Sequence, residues 1–425
     1  MMIELVRHGL DETIEAQNLF DGCSDEERKA LYFLLFISDD GGYISPHSVY
    51  PFLDILLRKS GKGARVIEAL RKKGFLGISR DYHGCRFLLS GIREFLWRML
   101  ASEAGFSFDA SRFLRDTPQS KKSIDLAQEA LSIVVLFLTY ARHNPIRVTK
   151  SGRIYRRQLG KLMRLLGAAR EDEVDFALRF CHHAKGFLIR EKVPYQGERS
   201  WLLMTKEGAS WVRLSATDQI YDMCRSWCDF LLRGDPKLGF VFHILGHLAP
   251  GQVTTINRLA SAFESRVVID PGDGPLRKRI RGIINDLRLI GILEAISPPS
   301  SLESVLMVTD LGRAIMSSED GPLDLSWEEN FDISDDGRIL APRRLEPRFI
   351  AMLDDIADLV RADHVLEYKL SRDKIMQVCS GGVSIEEIRG FLRRHARGEL
   401  PEGVEVGLRE CAGAFDRGSE ALDIN

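Results

Sequence analysis

The segment from Asp363 to Lys369 carries the residue types of a metal-dependent nuclease. Asp363 precedes Glu367-Tyr368-Lys369, and such an enzyme needs carboxylates to hold a divalent ion and a lysine to meet the charge that develops on the phosphate. The surrounding sequence offers fewer strands than the sheet of such a nuclease requires. A nuclease therefore stays open as an alternative with less support than a structural role for these residues.

ATP hydrolysis by a helicase motor needs a phosphate-binding loop of the form Gly-x-x-x-x-Gly-Lys-Ser/Thr. The nearest segment, "RKSGKGARV" at 58–66, has Gly-Lys followed by glycine and lacks the earlier glycine. The sequence therefore predicts a chain that is not an enzyme, that uses no cofactor, and that neither binds nor hydrolyses ATP.

Cysteine and histidine residues do not form a metal-ligand pattern. Cys224 and Cys228 lie four residues apart, and no second pair follows them, whereas zinc sites need two pairs. Cys181, His182 and His183 are adjacent, so a helix would point their side chains in different directions. The seven dispersed cysteines indicate reduced thiols and favour a cytosolic protein without a metal site.

The strongest basic cluster lies between residues 145 and 170, which hold eight basic residues and no acidic one. On a helix, Arg153, Arg157, Lys161 and Arg164 would share one face. The opposite face would be a buried stripe of Tyr155, Leu159, Leu162 and Leu166. An exposed, one-sided cluster suits contact with phosphates. The residues predicted to contact DNA here are Lys150, Arg153, Arg156, Arg157, Lys161 and Arg164.

A second basic cluster opens a later helix with "PLRKRIRG" and contains Arg277, Lys278, Arg279 and Arg281. The first turn of a recognition helix is where a helix-turn-helix reaches the DNA groove, so these four residues are also predicted to contact DNA. The basic residues between Lys62 and Lys73 give weaker support for contact with DNA, because they are divided between two faces of their helix. For every cluster the alternative is a solvated face, or a face that pairs with an acidic partner.

The elements that would position these clusters recur in the same order three times, over about residues 25–101, 124–214 and 237–317. Each time a helix, a short strand, two further helices, a two-stranded hairpin and a closing helix follow one another. This is the order of a winged helix. We predict an α+β, predominantly helical protein with three tandem winged-helix domains at 1–110, 120–216 and 217–318. Three unrelated helical pieces are the alternative.

The last quarter of the sequence has a different composition and a different order of predicted elements. Residues 319–337 hold eight acidic residues and no basic one, with a Gly-Pro pair at 321–322, which predicts an acidic linker over 319–330. We then predict a small α/β domain over 331–415. Its expected elements are a strand "ILAP", a helix "EPRFIAMLDDIADLV", a strand "HVLEYKLS", and helices that include one capped by Ser384 and Glu387.

This region resembles a known family. The segments "DGRILAPRRLEP", "VLEYKLSRDKI" and "GVSIEEIRGFLRRHARGELPEGV" resemble the small domain at the N-terminus of XPB-type helicases, which also occurs in bacterial helicase-associated proteins. The segment "NPIRVTKSGRIYRRQLGKL" resembles a second region of those bacterial proteins. The resemblance implies a module that handles DNA or positions a helicase, without catalytic residues of its own.

Bulk properties set the remaining limits. A net charge of -2 over 425 residues argues against coating nucleic acid by bulk charge. No run approaches 18 apolar residues, so no membrane contact is expected. We therefore expect a cytoplasmic, non-catalytic DNA-binding adaptor that works with a helicase or nuclease in DNA repair or in defence against phage and plasmid DNA. The alternative from another class is a protein–protein assembly scaffold that binds no DNA.

Overall fold

The structure is a computed structural model, and it divides the chain into two compact units. One unit comprises residues 1–123 and 231–319, and the other comprises 124–230 and 320–425. The predicted domain boundaries stay predictions. The structure describes residues 11–37, 43–44, 62–81, 84–89, 93–107, 119–167, 171–192, 200–234, 239–249, 252–264, 276–295, 305–317, 327–362 and 365–422. Most of the predicted linker, the second helix of the first segment and Asp363 lie outside these residues.

The first segment builds a three-stranded antiparallel sheet of order β1-β3-β2. Its core holds Leu31, Leu34, Phe75 and Trp97. Gly74, with a φ of 80°, turns the chain from a helix into the hairpin. The elements are α1 (Asp11–Asp21), α2 (Asp25–Ile37), β1 (Tyr43–Ile44), α3 (Lys62–Lys72), β2 (Leu76–Asp81), β3 (Gly84–Leu89), α4 (Arg93–Ala104) and β4 (Phe106–Ser107).

The second segment begins with the longest helix of the described residues and holds a sheet of order β5-β7-β6. By length and composition its stretch Ile124–His143 could cross a membrane, but 72% of the apolar window is buried inside the protein, as in a core helix. The elements are α5 (Gln119–His143), β5 (Ile146–Val148), α6 (Arg156–Leu166), α7 (Glu171–Arg179, continued by a π turn at Phe180–Ala184), β6 (Leu188–Lys192), β7 (Ser200–Met204), α8 (Lys206–Trp211) and α9 (Ala216–Gly234).

The third segment holds a four-stranded sheet of order β4-β8-β10-β9. In all three segments the single strand pairs antiparallel with the second strand of the hairpin, as at Tyr43–Leu88, Ile146–Leu202 and Val253–Met307. The elements are α10 (Gly239–Gly246), β8 (Gln252–Thr255), α11 (Ile256–Glu264), α12 (Leu276–Leu289), β9 (Leu293–Ala295), β10 (Val305–Val308) and α13 (Asp310–Ser317).

The last segment is a four-stranded antiparallel sheet of order β11-β12-β14-β13. Its core includes Phe331, Ile339, Tyr368 and Phe391, all nearly or fully buried. The elements are β11 (Asp332–Ile333), β12 (Arg338–Pro342), α14 (Pro347–Ile356), β13 (Ala357–Ala362), β14 (Val365–Leu370), α15 (Arg372–Ser380), α16 (Ile385–His395) and α17 (Glu402–Leu422). The described chain is thus predominantly helical with small antiparallel sheets, as the α+β prediction required.

One element of the last segment differs from the prediction. The helix expected to reach Val360 ends at Ile356, and Ala357–Ala362 form the edge strand β13. Pairing with β14 satisfies the backbone of these residues and buries Ala357 and Ala362, so tertiary pairing overrides local helix propensity.

Candidate nucleic-acid interface

Arg153 does not lie on the basic helix where the sequence placed it. Its backbone N–H donates to the Thr149 hydroxyl at 3.1 Å, and its carbonyl accepts from the Thr149 N–H at 2.8 Å. These bonds close a turn that passes through Gly152, whose φ is 82°. The helix α6 begins three residues later, at Arg156. The predicted four-residue stripe that began at Arg153 is therefore wrong in its first member, because the turn uses those residues before the helix can start. Lys150 lies in the same turn and is exposed.

The helix α6 nevertheless presents one continuous basic face. Arg156, Arg157, Lys161 and Arg164 are all exposed, and none of them has a carboxylate partner among the described residues. Leu162 and Leu166 are fully buried on the opposite side. Arg164 directs its Nε toward the Gly160 carbonyl at 3.3 Å, so its side chain lies along the helix.

Tyr155 corrects the predicted buried stripe. Its side chain is 37% exposed, and the Arg147 guanidinium lies 4.4 Å from the centre of its ring. This position precedes the helix, so the helical spacing that placed Tyr155 with the leucines does not apply there. The aromatic ring therefore belongs to the exposed surface beside the basic face.

The C-terminal end of α6 is held by the last segment of the same unit. Arg343 donates from Nη2 to the Leu166 carbonyl at 2.9 Å and so satisfies a carbonyl that a helix end leaves without a partner. Gly167 follows with a φ of 58°. A Cβ atom at this position would lie 1.8 Å from Arg343 Nη1 and 3.0 Å from the Ala362 carbonyl oxygen. Only glycine fits this close contact.

A cluster of charged groups joins the same two segments. The Asp355 carboxylate accepts from Arg213 at 2.9 Å and also pairs with Arg142. The neighbouring Asp354 is 5% exposed and lies 2.8 Å from His143 Nε2. Buried carboxylates need such partners, so this cluster helps to hold the C-terminal end of α5 against the last segment.

The helix α12 carries the second predicted cluster. Arg277, Lys278 and Arg281 are exposed, while Arg279 is half-buried. Arg277 Nη2 lies 3.5 Å from a Glu264 carboxylate oxygen, so one of the cations is partly compensated. The buried side of the helix holds Leu276, Ile280, Ile283, Ile284 and Leu287. The four predicted residues thus occupy one helical turn, three of them facing solvent.

Lys62 and Arg71 of α3, and Lys73 just after it, have acidic partners close by. Lys62 pairs with Glu26, Lys73 Nζ lies 2.7 Å from a Glu27 carboxylate oxygen, and Arg71 lies 3.4 Å from Glu68. These internal pairs reduce the charge available to an external phosphate.

The residues of the nuclease alternative have structural partners. On β14, Glu367 lies 3.2 Å from Arg338, and Lys369 lies 3.0 Å from Asp336. Tyr368 between them is fully buried. Hydrogen bonds from Ser334, Lys369 and the Arg338 backbone hold the pKa of Asp336 well below its ordinary value. Within the described ranges, no group of three His, Cys, Asp or Glu side chains is placed to hold a metal ion.

The cysteines considered as metal ligands are buried among apolar groups. Burial raises the pKa of the Cys228 thiol to about 12 and raises those of Cys181 and Cys224 well above their ordinary value. His182 Nδ1 lies 2.8 Å from the Leu188 carbonyl oxygen. These side chains have the environment of core residues.

Comparison with known families places part of the chain in a helicase-related group. Residues 332–418 match the family described as helicase conserved C-terminal domain, and no curated protein matches the chain. The match includes the sheet β11-β12-β14-β13 and most of α17. It supports a helicase-associated protein and is consistent with interaction with nucleic acid.

The same match overturns the prediction that the chain is not an enzyme. A domain of this family indicates a helicase-like protein, and such a protein is typically an ATPase. The prediction relied on the missing phosphate-binding loop. That motif tests a single segment of sequence and carries no information about residues 332–418, which match the helicase family.

Sequence reasoning also missed residues that shape the interface. Arg343 and Gly167 hold the end of α6, yet 176 positions separate them and no local signal connects them. Gly160 was visible as a glycine inside a basic helix, where glycine destabilises the helix without a structural reason. That signal could have marked the exposed face.

Proposed function

We propose that this helicase-associated protein binds DNA through its phosphate backbone, with the basic face of α6 and the first turn of α12 as the principal contacts. The three segments with the same element order and the same strand pairing act as tandem winged helices in this proposal. The XPB-type resemblance of the last segment and a role in DNA repair or defence against foreign DNA, together with a helicase or nuclease partner, belong to the same proposal.

The observation that carries the proposal is the contrast between α6 and α3. Both helices are basic, but two of the four cations of α3, Lys62 and Arg71, have carboxylate partners, whereas Arg156, Arg157, Lys161 and Arg164 on α6 have none among the described residues. A helix that keeps four cations side by side in solvent is suited to neutralising phosphates, which releases counterions and drives binding.

A salt titration of DNA binding tests this function. The parent should bind duplex and forked DNA at low salt, and the logarithm of its affinity should fall linearly with the logarithm of salt concentration, by about 0.9 per phosphate neutralised. The variant with Arg156, Arg157, Lys161 and Arg164 changed to glutamate should lose most of this slope for all sequences alike, because phosphates carry no sequence information.

The matched variant in α12 changes Arg277, Lys278, Arg279 and Arg281 to glutamate. It should weaken binding and should also alter any preference for sequence or DNA structure, because a recognition helix meets base edges in the groove. A thermal melt of each variant serves as the folding control. Parental DNA affinity in two normally folded variants would contradict the proposal and leave the assembly scaffold as the better function.

A further inference from the structure

A cleft of about 860 Å³ opens between the C-terminal half of α6 and the edge strand β13. Lys161 and Arg164 line one wall, and Arg361 lines the other. None of the lining residues in the described part of the chain is acidic. Three cations from two segments therefore converge on one concave surface.

The wall that β13 contributes is shaped by a β-bulge. The pairing of β13 with β14 shifts between Leu359 and Arg361, so Val360 is the extra residue. Regular alternation would turn Val360 and Arg361 to opposite faces. Here both are exposed, and Val360 keeps 56% of its surface accessible. Bulges commonly re-aim side chains beside functional sites, and this one turns Arg361 toward the cleft.

The wall that α6 contributes leaves space at its centre. Gly160 lines the cleft, and a Cβ atom added there would have no neighbour within 4 Å. Glycine inside a helix costs about 1 kcal/mol relative to alanine. The missing side chain lets a ligand approach the helix beside Lys161 and Arg164.

The two walls are held in a fixed relation. Arg343 binds the Leu166 carbonyl, and Gly167 packs directly against Arg343 and the Ala362 carbonyl. Both contacts lie where α6 ends and β13 ends. The cleft is therefore pre-formed, and a ligand would not have to bring its walls together.

We infer that this cleft holds the phosphodiester backbone of one nucleic-acid strand, an inference that rests on the proposed function. The cleft has a volume of about 860 Å³, which is that of a small-ligand site. It is too small for a DNA duplex, whose major groove alone is about 12 Å wide. The cleft has no aromatic lining residue in the described chain on which bases could stack. Recognition is through charge and is independent of sequence.

Anisotropy of a fluorescein-labelled oligothymidylate, with a duplex of equal length as comparison, tests this inference. Arg361→Glu reverses the charge of the β13 wall, and Val360→Trp fills the cleft without changing charge. Arg394→Glu is the control, since exposed Arg394 bonds the carbonyl of Gly390 at 3.2 Å as Arg164 bonds that of Gly160 at 3.3 Å, but it lies outside the cleft.

Arg361→Glu should weaken oligothymidylate binding several-fold and reduce the magnitude of the salt slope by about 0.7, the value for one phosphate of a single strand. Val360→Trp should weaken binding without changing the slope as much. Duplex binding should change less in both variants, and Arg394→Glu should resemble the parent.

Three outcomes would overturn the inference. If Arg361→Glu and Val360→Trp bind the oligothymidylate like the parent while the α6 variant loses duplex binding, the cleft holds no strand and the proposed function stands. If the parent binds neither oligonucleotide at low salt, the proposed function fails as well. If ATP or inorganic phosphate displaces the oligothymidylate in the parent but not in Arg361→Glu, the cleft takes free phosphate groups instead of a strand.

Discussion

The helices α6 and α12 are two basic helices with the same general design and different surroundings. Each has an apolar stripe on one side, exposed cations on the other and an exposed glycine among them, Gly160 or Gly282. In α12 one cation, Arg277, forms an ion pair with Glu264. In α6 the cations have no described carboxylate partner, and the helix end is fixed by Arg343. The comparison teaches that a basic helix can be displayed as a face or built into one wall of a cleft.

The largest expected effect concerns the attachment of α5 to the last segment. Asp354→Ala removes the partner of His143 and of Lys374, whose Nζ lies 3.9 Å from Asp354. Removing one partner of a buried hydrogen-bonded group costs about 1–3 kcal/mol. We expect this loss in the free energy of unfolding in urea denaturation, together with faster hydrogen exchange at the C-terminal end of α5.

Asp358→Ala is the control for that change. Asp358 also pairs with Lys374, at 3.2 Å, but its side chain is 63% exposed. Its removal should change the free energy of unfolding by no more than about 0.5 kcal/mol. Equal effects of the two substitutions would contradict a buried attachment at Asp354.

A smaller effect on stability is expected at the C-terminal ends of α6 and α12. Gly167 and Gly291 both adopt left-handed backbone, with φ of 58° and 75°, which costs a non-glycine residue about 1–2 kcal/mol. Gly167→Ala must in addition displace Arg343. We expect it to lower the free energy of unfolding by more than Gly291→Ala does, and to weaken oligothymidylate binding by disturbing the cleft. Equal losses of stability would show that Arg343 moves aside without cost.

Substitution of the two exposed helix glycines is expected to raise the free energy of unfolding instead of lowering it. Gly160→Ala and Gly282→Ala meet no neighbouring atom within 4 Å, so each should raise the free energy of unfolding by about 0.5–1 kcal/mol. A methyl group at position 160 narrows the cleft, so this variant alone should bind the oligothymidylate less tightly. Unchanged binding in a stabilised Gly160→Ala variant would argue against close approach of a strand to α6.

The smallest expected effect is a pH dependence of stability at two capped helix N-termini, one in each unit. Ser24 with Glu27 and Ser384 with Glu387 form the same reciprocal hydrogen bonds. Burial of Glu27 acts to raise its pKa, but bonds from Lys73 and Ser24 outweigh it and lower the pKa below 4.5. Bonds from Ser384 lower the pKa of exposed Glu387.

A carboxyl group with a lowered pKa stabilises the fold above its unfolded pKa, and that contribution disappears as the pH falls through its folded pKa. Glu27→Gln should therefore lower the free energy of unfolding at pH 7 by less than about 1 kcal/mol, and the difference from the parent should vanish in acid. Glu387→Gln, which lacks a lysine partner, should show a weaker pH dependence. Stability curves measured between pH 7 and pH 3 provide the test, and parallel curves for Glu27→Gln and the parent would contradict it.

Local patterns were predictable where the physics is local. The capping box at Ser384 and Glu387 and the strand around Ile339 follow from neighbouring residues, and both predictions are confirmed. The strand β13 was missed because its partner β14 decides its conformation. The cleft was missed for the same reason at longer range, since α6 and β13 are remote in sequence. Arg153 was misplaced because a turn, which helical spacing does not describe, comes before the helix.

The reactivity of the buried cysteines can report how often each part of the protein opens. A thiol reagent attacks only an accessible thiolate, and Cys23 lies in one unit, whereas Cys181, Cys224 and Cys228 lie in the other, all of them buried. The rate at which each thiol is alkylated therefore measures how often its own surroundings open. Mass spectrometry of the alkylated peptides would resolve the kinetics of the two units separately, without an introduced label.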